Sequence, residues 1–192
     1  LENSPDIAIV DIKMPRLDGI ELLKKLRKTS DLPVIFLTSK DTEIDELLGL
    51  KIGADDYITK PFSQKILIER IRILIKRSEL KNKNKVTKID IKNSLKEGSI
   101  FLDTEKYLCK WKNKPVDLTV TEFLLIKSLV ENIDVVKSRD QLIVAAFGED
   151  KENIDDRSID HHFKRIRKKF KKTDNNFNSI VTVYGGGYKF SE

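Results

Sequence analysis

Three side chains suited to phosphoryl chemistry follow short apolar segments in the first half of the chain. Asp11 follows DIAIV, Thr38 follows VIFL, and Lys60 follows Tyr57–Ile58. Singly, such an aspartate is usually a turn or cap residue and such a lysine faces solvent. If the segments are parallel strands, however, their carboxyl ends meet at one sheet edge. There the carboxylate would accept a phosphoryl group, and the hydroxyl and ammonium would neutralise its oxygens.

A second candidate site is the basic segment Ile154–Lys172. Ile159, Phe163, Ile166 and Phe170 recur at helical spacing and predict one buried apolar stripe. The other side of this helix is densely basic and would suit the phosphates and base edges of duplex DNA. A solvated surface helix is the alternative, but two preceding capped helices and a following Gly-rich hairpin favour DNA. The residues that fall largely on the basic side are His161, Lys164, Arg165, Lys168 and Lys169.

Composition places this chain of 192 residues among folded proteins of one or two domains. The net charge is +6 and unevenly distributed: residues 1–77 carry 14 basic and 13 acidic side chains, residues 78–192 carry 23 and 18. A nucleic-acid-binding module joined to a neutral domain would have this asymmetry. The single cysteine, Cys109, allows no internal disulfide and indicates a reducing cytoplasm. No apolar run reaches membrane-spanning length, and no signal peptide opens the chain, so no membrane association is predicted.

Apolar runs and amphipathic segments alternate in the first half, which predicts a parallel sheet covered by helices. The predicted strands are Asp6–Val10, Pro33–Leu37 and Tyr57–Ile58, and the predicted helices are Gly19–Lys28, Glu43–Lys51 and Gln64–Arg77. The polar, Lys- and Asn-rich segment that follows predicts a linker over residues 78–90.

The second half has a different order: a small sheet, three helices and a hairpin. Its predicted strands are Ile100–Asp103 and Leu108–Trp111, with a turn at Lys112–Lys114. Capping boxes at Thr119/Glu122 and Ser138/Gln141 predict helices over 120–131 and from about 139 towards Phe147, and Asp155 or Asp156 would cap the basic helix. Ile180–Tyr184 and Tyr188–Phe190, joined by three glycines, predict the hairpin. Such an order is typical of a winged helix-turn-helix.

Six motifs, in order, resemble the OmpR/PhoB family of two-component response regulators. DIAIVDIKMPRLDG, VIFLTSK and GADDYITKPF resemble a receiver domain; LTVTEFLLIKSLVEN, RSIDHHFKRIRKKF and VTVYGGGYKF resemble its effector domain. The implied fold is a CheY-like doubly wound α/β sheet, N-terminally incomplete, over residues 1–77, and a winged helix over 91–192. The resemblance implies that Asp11 is the phosphoacceptor, Thr38 the switch hydroxyl, Lys60 the phosphate-binding lysine and Tyr57 the switch aromatic. A half-buried core position is the alternative for Tyr57.

The resemblance also implies Mg²⁺ bound by the Asp11 side chain and the backbone carbonyl of Lys13. Receivers normally place a strand, a helix and a strand before this aspartate, with an acidic pair that completes the metal site. This sequence starts at Leu1, a few residues before the Asp11 strand. One carboxylate and one carbonyl are too few for tight Mg²⁺ binding. We expect a fragment of a longer protein; completion of the sheet by a partner is the alternative.

The resemblance implies that the receiver dimerises through its last helices and last strand. The residues implied in this contact are Asp55, Asp56, Arg70 and Arg72. Glu46 and Ile66 stand where the family usually has a further basic and acidic pair. This change predicts a weaker dimer or one with more apolar contact. The alternative is that these residues are ordinary surface charges, each of which contributes little to dimer stability.

In the winged helix, the third helix is expected in the major groove. From their positions in the family motif, eight residues of this helix are predicted to contact bases or phosphates: Arg157, His161, His162, Lys164, Arg165, Arg167, Lys168 and Lys169. A surface residue that supports the core is the alternative for His162. Adjacent histidines point about 100° apart on a helix and are not expected to bind a metal together.

The hairpin is the predicted wing. Thr182 would reach a phosphate, and Tyr188 would contact a phosphate or pack. Tyr184 stands where many relatives carry an arginine at the wing tip, so we expect weaker minor-groove reading, with Lys189 supplying some charge. The acidic loop 148–156 is a candidate RNA polymerase contact or a merely solvated loop.

The predicted protein is a cytoplasmic regulator, not a metabolic enzyme. A histidine kinase would phosphorylate Asp11, and a homodimer would bind promoter DNA. Two alternatives are a phosphorylation-independent DNA-binding regulator with a degenerate receiver, and a phosphoryl-transfer enzyme or shuttle. The latter needs a further general acid or base near Asp11, and the sequence offers no clear one.

Overall fold

The computed structural model describes residues 5–14, 18–39, 53–82, 94–148 and 156–191. The chain divides into two compact units, Leu1–Lys83 and Asn84–Glu192. The first contains a parallel sheet and the second contains antiparallel sheets and three helices. The predicted change of character between the two halves is therefore observed.

The first unit has a three-stranded parallel sheet in the order β1-β2-β3. Its strands are β1 (Ala8–Asp11), β2 (Val34–Thr38) and β3 (Asp56–Thr59), and its described helices are α1 (Gly19–Leu26) and α2 (Gln64–Asn82). Val34, Ile35 and Phe36 of the central strand are fully buried. Burial of consecutive residues means that both faces of β2 are covered, as its unbroken apolar run predicted.

The predicted end of α2 near Arg77 is wrong, because the helix continues to Asn82. Residues 78–82 contain neither glycine nor proline, so nothing stops an established helix from propagating. These five residues therefore extend the helix and do not begin the linker. The rest of the predicted linker and the predicted helix Glu43–Lys51 lie outside the described residues.

The second unit begins with an antiparallel sheet in the order β4-β5-β6-β7. The strands are β4 (Ser94–Glu97), β5 (Ile100–Asp103), β6 (Leu108–Trp111) and β7 (Lys114–Val116). The helices α3 (Val120–Val130), α4 (Arg139–Phe147) and α5 (Asp156–Thr173) follow, and then the hairpin β8 (Ile180–Val183) and β9 (Gly187–Phe190). The sequence predicted all of these elements except β4 and β7.

Both predicted capping boxes are present. The Thr119 amide donates to Glu122 Oε2 at 2.8 Å, and the Glu122 amide donates to Thr119 Oγ1 at 3.3 Å. Ser138 and Gln141 exchange equivalent hydrogen bonds of 2.9 and 3.2 Å. Each box satisfies two amide donors that an uncapped helix leaves without partners. The start of α5 has Asp156 as its first helical residue, and Asp155 lies outside the described residues.

Trp111 lies in the core of the second unit. Its indole makes edge-on contacts with Phe170, Phe177 and Phe190, at ring-centroid distances of 6.0, 5.0 and 6.3 Å. The Nε1 donor reaches Asp174 Oδ2 at 2.8 Å just beyond the end of α5. This hydrogen bond satisfies the one polar atom that the indole brings into the core.

Asp174 makes the stability of the second unit depend on pH. The Lys112 ammonium, 2.7 Å away, and the Trp111 hydrogen bond lower the pKa of this carboxyl from 3.8 to about 2. Since the folded pKa is lower than the unfolded one, the contribution is present above about pH 4 and is lost as the pH falls towards 2. We expect Asp174→Asn to be less stable at pH 6 and to approach the native protein at pH 2.5. Urea unfolding at both pH values tests this; equal differences at both would contradict it.

Candidate phosphoacceptor site and nucleic-acid interface

The three predicted phosphoryl-chemistry residues lie at the carboxyl edge of the parallel sheet. In the strand register, Asp11 lies opposite Leu37, and Thr38 lies opposite Thr59. The Lys60 amide then donates to the Thr38 carbonyl at 2.7 Å. Adjacent parallel strands therefore deliver all three residues to one edge, as their positions in the sequence predicted.

An ion pair joins the two outer members of this set. Lys60 Nζ contacts Asp11 Oδ2, and the Lys13 amide donates to Asp11 Oδ1 at 3.2 Å. The Lys60 hydrogen bond, opposed by partial burial, holds the pKa of Asp11 below its usual range. Both side chains are about one-third exposed. The carboxylate is consequently ionised near neutrality and open to a phosphoryl donor from solvent.

A close backbone approach next to Asp11 depends on Gly19. A Cβ atom at this position would lie 2.4 Å from the Asp11 carbonyl oxygen and 3.0 Å from the Val10 side chain. Asp18 caps the helix here by accepting a hydrogen bond of 2.9 Å from the Ile20 amide. The first turn of α1 is therefore packed directly on the end of β1, which fixes the backbone that carries the phosphoacceptor.

We expect Gly19→Ala to displace the end of β1 and to destabilise the first unit by about 1–3 kcal/mol, the usual cost of an overpacked contact. The displaced group is backbone, which has no alternative rotamer to adopt. Amide chemical shifts of Asp11 and Ile12, together with calorimetric unfolding, measure the two effects. Lys24→Ala, on the exposed side of the same helix, is the control. Unchanged shifts at Asp11 would contradict the expectation.

The remaining receiver residues are mostly buried. Thr38 is inaccessible to solvent, and Tyr57 is 7% exposed, with its ring stacked on Phe36 at a centroid distance of 6.1 Å. Tyr57 thus lies deeper in the core than the half-buried position that was its alternative. No cluster of three or more His, Cys, Asp or Glu side chains able to hold a metal occurs among the described residues. Among these residues, the predicted co-ligand of Asp11 is the Lys13 carbonyl.

All four predicted dimerisation residues pair within this chain. Asp56 and Arg70 form a buried ion pair, with 3.6 Å between Arg70 Nε and Asp56 Oδ2. Asp55 accepts from Arg27 Nη2 and from the Val34 amide, each at 3.0 Å. Arg72 is exposed and contacts Glu69 of its own helix. Ile66 is half-buried, and Glu46 lies outside the described residues.

Arg27 is a residue that sequence reasoning missed. Its guanidinium donates to the carbonyls of Leu32 and Gly53 and to the Asp55 carboxylate, at distances from 2.6 to 3.2 Å. These contacts tie the end of α1 to the segment before β3. An arginine after a helix has no distinctive local pattern, and its partners lie up to 28 residues away. Only the fold brings them together.

The basic helix α5 has the predicted buried stripe: Ile159, Phe163, Ile166 and Phe170 are all inaccessible. Of the predicted DNA contacts on this helix, Lys164 and Lys168 are exposed and His161 is half-buried. His162 and Arg165 are buried, each 7% exposed, which for His162 agrees with the core-supporting alternative. Arg157 lies in the first turn, and its side chain is outside the described part of the chain.

Four further predicted contacts have partners inside the unit. Lys169 Nζ donates to the buried Glu122 carboxylate at 2.6 Å. Arg167 donates to Thr182 Oγ1 at 2.7 Å. Tyr188 is 3% exposed, and its hydroxyl donates to Asp160 Oδ1 at 2.7 Å. These side chains position α5 and the hairpin, so packing describes Tyr188 better than free access to phosphate.

The tip of the hairpin is uncharged. Tyr184 is almost fully exposed, at 97%. Lys189, predicted to supply charge here, donates instead to Asp134 Oδ1 at 2.9 Å, and Ser191 donates to the same oxygen at 2.7 Å. The pairing lowers the electrostatic attraction of Lys189 for phosphate. The tip therefore presents an aromatic side chain to whatever it contacts.

A receiver-type sheet edge with an Asp11–Lys60 pair, followed by a winged helix with a basic third helix, defines the class of DNA-binding response regulators. Residues 1–72 match the family model described as response regulator receiver domain. Residues 113–190 match the model described as transcriptional regulatory protein, C terminal. None of the helices described here combines the length and apolarity needed to cross a membrane.

Individual relatives agree with this class. The chain is 34% identical to the transcriptional regulatory protein BaeR of Escherichia coli O6:H1 over 189 residues, covering 98% of this chain and 75% of BaeR. It is 40% identical to the transcriptional regulatory protein YclJ of Bacillus subtilis over 192 residues, covering 100% and 82%. A solved RitR mutant, 20% identical, shares the fold with a TM-score of 0.57 over 100% of this chain and 81% of that one. The chain belongs to the OmpR/PhoB family of response regulators.

Proposed function

We propose that a histidine kinase phosphorylates Asp11 and that the phosphorylated protein binds promoter DNA as a homodimer. The observation that carries this proposal is the Asp11–Lys60 ion pair at the carboxyl edge of the sheet. It joins an ionised, accessible nucleophile to a cation that can neutralise an incoming phosphoryl group. We propose that the protein acts as a cytoplasmic regulator and catalyses no metabolic reaction.

In the proposed transfer, a carboxylate oxygen of Asp11 forms a bond to phosphorus while the bond from phosphorus to the kinase histidine nitrogen breaks. The Lys60 ammonium moves from the carboxylate to a phosphoryl oxygen, where it offsets the added negative charge. The Thr38 hydroxyl is proposed to turn towards the same group, and the Tyr57 ring to move with it. Mg²⁺ would be held by Asp11 and the Lys13 carbonyl and would neutralise phosphoryl oxygens.

For DNA recognition, the proposal places α5 in the major groove. Lys164 and Lys168 are the best-supported phosphate contacts because their side chains are exposed. Arg157 and His161 are proposed contacts at the start of the helix. Five other predicted contacts would need to leave buried or paired positions to touch DNA, so we propose that they act mainly by support: Arg165, Arg167, Lys169, His162 and Tyr188. The Thr182 hydroxyl accepts from Arg167 and keeps its own proton to donate, so it stays a proposed phosphate contact. Tyr184 is proposed to approach the minor groove without charge.

The dimer is proposed to use the receiver surface near Asp55, Asp56, Arg70 and Arg72. All four of these side chains already pair within the chain, so inter-subunit pairs would form by exchange of partners. The exchange would cost least for Arg72, because its ion pair with Glu69 is exposed. The loop 148–156 is proposed as an RNA polymerase contact, and most of it lies outside the described residues.

The test is DNA affinity across a salt series, with and without beryllofluoride plus Mg²⁺ as a phosphoryl mimic. The DNA is a duplex selected from a random-sequence pool by the protein itself. A steep salt slope with tighter binding in the mimic supports the proposal. Salt-dependent binding that ignores the mimic would favour a phosphorylation-independent regulator. Failure to bind any duplex in a salt-dependent way would overturn the DNA-binding role.

A further inference from the structure

One carboxylate oxygen connects three elements of the winged helix. Asp160 Oδ1, in the first half of α5, accepts a hydrogen bond of 2.7 Å from the Tyr188 hydroxyl and one of 2.9 Å from Arg139 Nε. Tyr188 belongs to the hairpin strand β9, and Arg139 is the first residue of α4. Asp160 therefore links α5, the helix proposed to enter the major groove, both to the wing and to α4.

The ionisation states of Asp160 and Tyr188 near neutral pH favour the hydrogen bond between them. Burial disfavours ionisation of Asp160, but the hydrogen bonds from Tyr188 and Arg139 outweigh it and leave the pKa of the carboxyl lowered. Burial and the Asp160 hydrogen bond raise the pKa of Tyr188 to about 12. Tyr188 accordingly remains a neutral donor and Asp160 a charged acceptor near neutral pH. A hydrogen bond to a charged group is stronger than a neutral one.

The Tyr188 ring is held as firmly as its hydroxyl. It stacks on Phe163 at a centroid distance of 4.1 Å, with 22° between the ring planes. The guanidinium groups of Arg139 and Arg167 each lie 5.5 Å from the ring centroid. The ring thus packs on the core side of α5 and also attracts both cations.

A second attachment lies two helical turns further along α5. Arg167 donates to the Ile180 carbonyl at 2.9 and 3.2 Å and to Thr182 Oγ1 at 2.7 Å. Both acceptors belong to β8, the other strand of the wing. α5 is consequently hydrogen-bonded to both wing strands, to β9 through Asp160 and to β8 through Arg167.

The wing is fixed close to its tip to the segment before α4. Lys137 and Tyr188 exchange backbone hydrogen bonds of 2.8 and 3.0 Å. Gly187 has a φ of +124°, and a Cβ there would lie 2.0 Å from the Lys137 carbonyl oxygen. A residue with a side chain could not make this approach without moving the strand.

We propose that Asp160, Tyr188 and Arg139 form a wing lock, and that they tighten DNA binding by positioning the wing and not by touching DNA. This inference rests on the proposed DNA-binding role. A wing held in register with α5 would enter the minor groove without losing conformational freedom on binding, whereas a released wing would lose it. Asp160 and Tyr188 are thus positioning residues for the wing tip around Tyr184.

Tyr188→Phe is the most selective test, because it removes the hydroxyl and keeps the buried ring. The matched control is Tyr107→Phe, the same change at a ring that packs on Phe123 in the same unit. The probe is the duplex that the native protein selects from random-sequence DNA. We expect about fivefold weaker binding for Tyr188→Phe, from the loss of one charge-assisted hydrogen bond. The Tyr107→Phe control should bind like the native protein.

Footprinting separates positioning from direct contact. Dimethyl sulfate reads guanine N7 in the major groove, and hydroxyl radicals read sugars along the minor groove. At saturating protein, Tyr188→Phe should keep the native major-groove protection and lose protection at the minor-groove sugars beside it. Native-like footprints in both grooves, or parallel loss in both, would overturn the wing lock.

Two Asp160 variants test the acceptor. Asp160→Asn keeps an oxygen for the Tyr188 hydroxyl but loses the charge, so it should bind DNA more tightly than Asp160→Ala. Adding Tyr188→Phe to Asp160→Ala should cause little further loss, because both remove the same hydrogen bond. If the losses of DNA-binding free energy in the two single variants added up fully in the double variant, the wing lock would be overturned. Failure of the native protein to select any duplex would instead overturn the proposed DNA-binding function itself.

Discussion

Replacing Phe163 with alanine is expected to destabilise the second unit by about 3–5 kcal/mol, as for other buried phenylalanines. Phe163 is inaccessible to solvent and stacks on Tyr188. Its removal leaves a cavity under α5 and frees the ring that anchors β9. Urea unfolding followed by tryptophan fluorescence measures this unit selectively, since Trp111 is the only tryptophan and lies in the same core.

The neighbouring variant Lys164→Ala is the matched control, because its side chain points to solvent from the same helix. Its unfolding midpoint should equal that of the native protein, while its affinity for DNA falls and the salt slope decreases by about one. The two variants thus assign opposite faces of α5 to folding and to binding. If Phe163→Ala unfolded like the native protein, the apolar stripe would not be the core contact that its burial indicates.

Local patterns predicted those parts of the fold that depend on neighbouring residues. The capping boxes at Thr119 and Ser138 need only residues three positions apart, and both are formed. Asp11, Thr38 and Lys60 could be placed together because strand ends of a parallel sheet share one edge. The strand β7 escaped prediction because it is only three residues long, and β4 escaped it because it carries a single apolar side chain.

Side-chain partners distant in sequence could not be predicted in the same way. Lys169 and Lys168 are adjacent lysines, yet Lys169 reaches the buried Glu122, 47 residues away, while Lys168 is exposed. Asp160 and Arg27 likewise acquire their roles from residues that only the fold brings near. The number of basic residues in α5 is therefore larger than the number whose charged groups are exposed. The sequence predicts which helix binds DNA, whereas the structure shows which of its basic side chains are exposed and which are buried or paired.

Asp11→Asn is expected to abolish any tightening of DNA binding by beryllofluoride plus Mg²⁺. The substitution keeps the shape of the side chain but removes the carboxylate oxygen that would bond to the phosphoryl group or its mimic. It also removes the charge that holds Lys60 at the sheet edge. Affinity without the mimic should stay near the native value, since the second unit keeps its basic helix. Titrations with and without the mimic, at one fixed salt concentration, measure the effect.

Asp18→Asn is the matched control for this experiment. It makes the same chemical change seven positions away, at an exposed helix cap where asparagine accepts the Ile20 hydrogen bond equally well. Asp18→Asn should therefore retain the full response to the mimic. If both variants responded like the native protein, Asp11 would not be the phosphoacceptor. If both lost the response, the effect would reflect charge around the start of α1 and not covalent chemistry. Only loss confined to Asp11→Asn assigns the phosphoryl group to this carboxylate, because the two substitutions change the net charge equally.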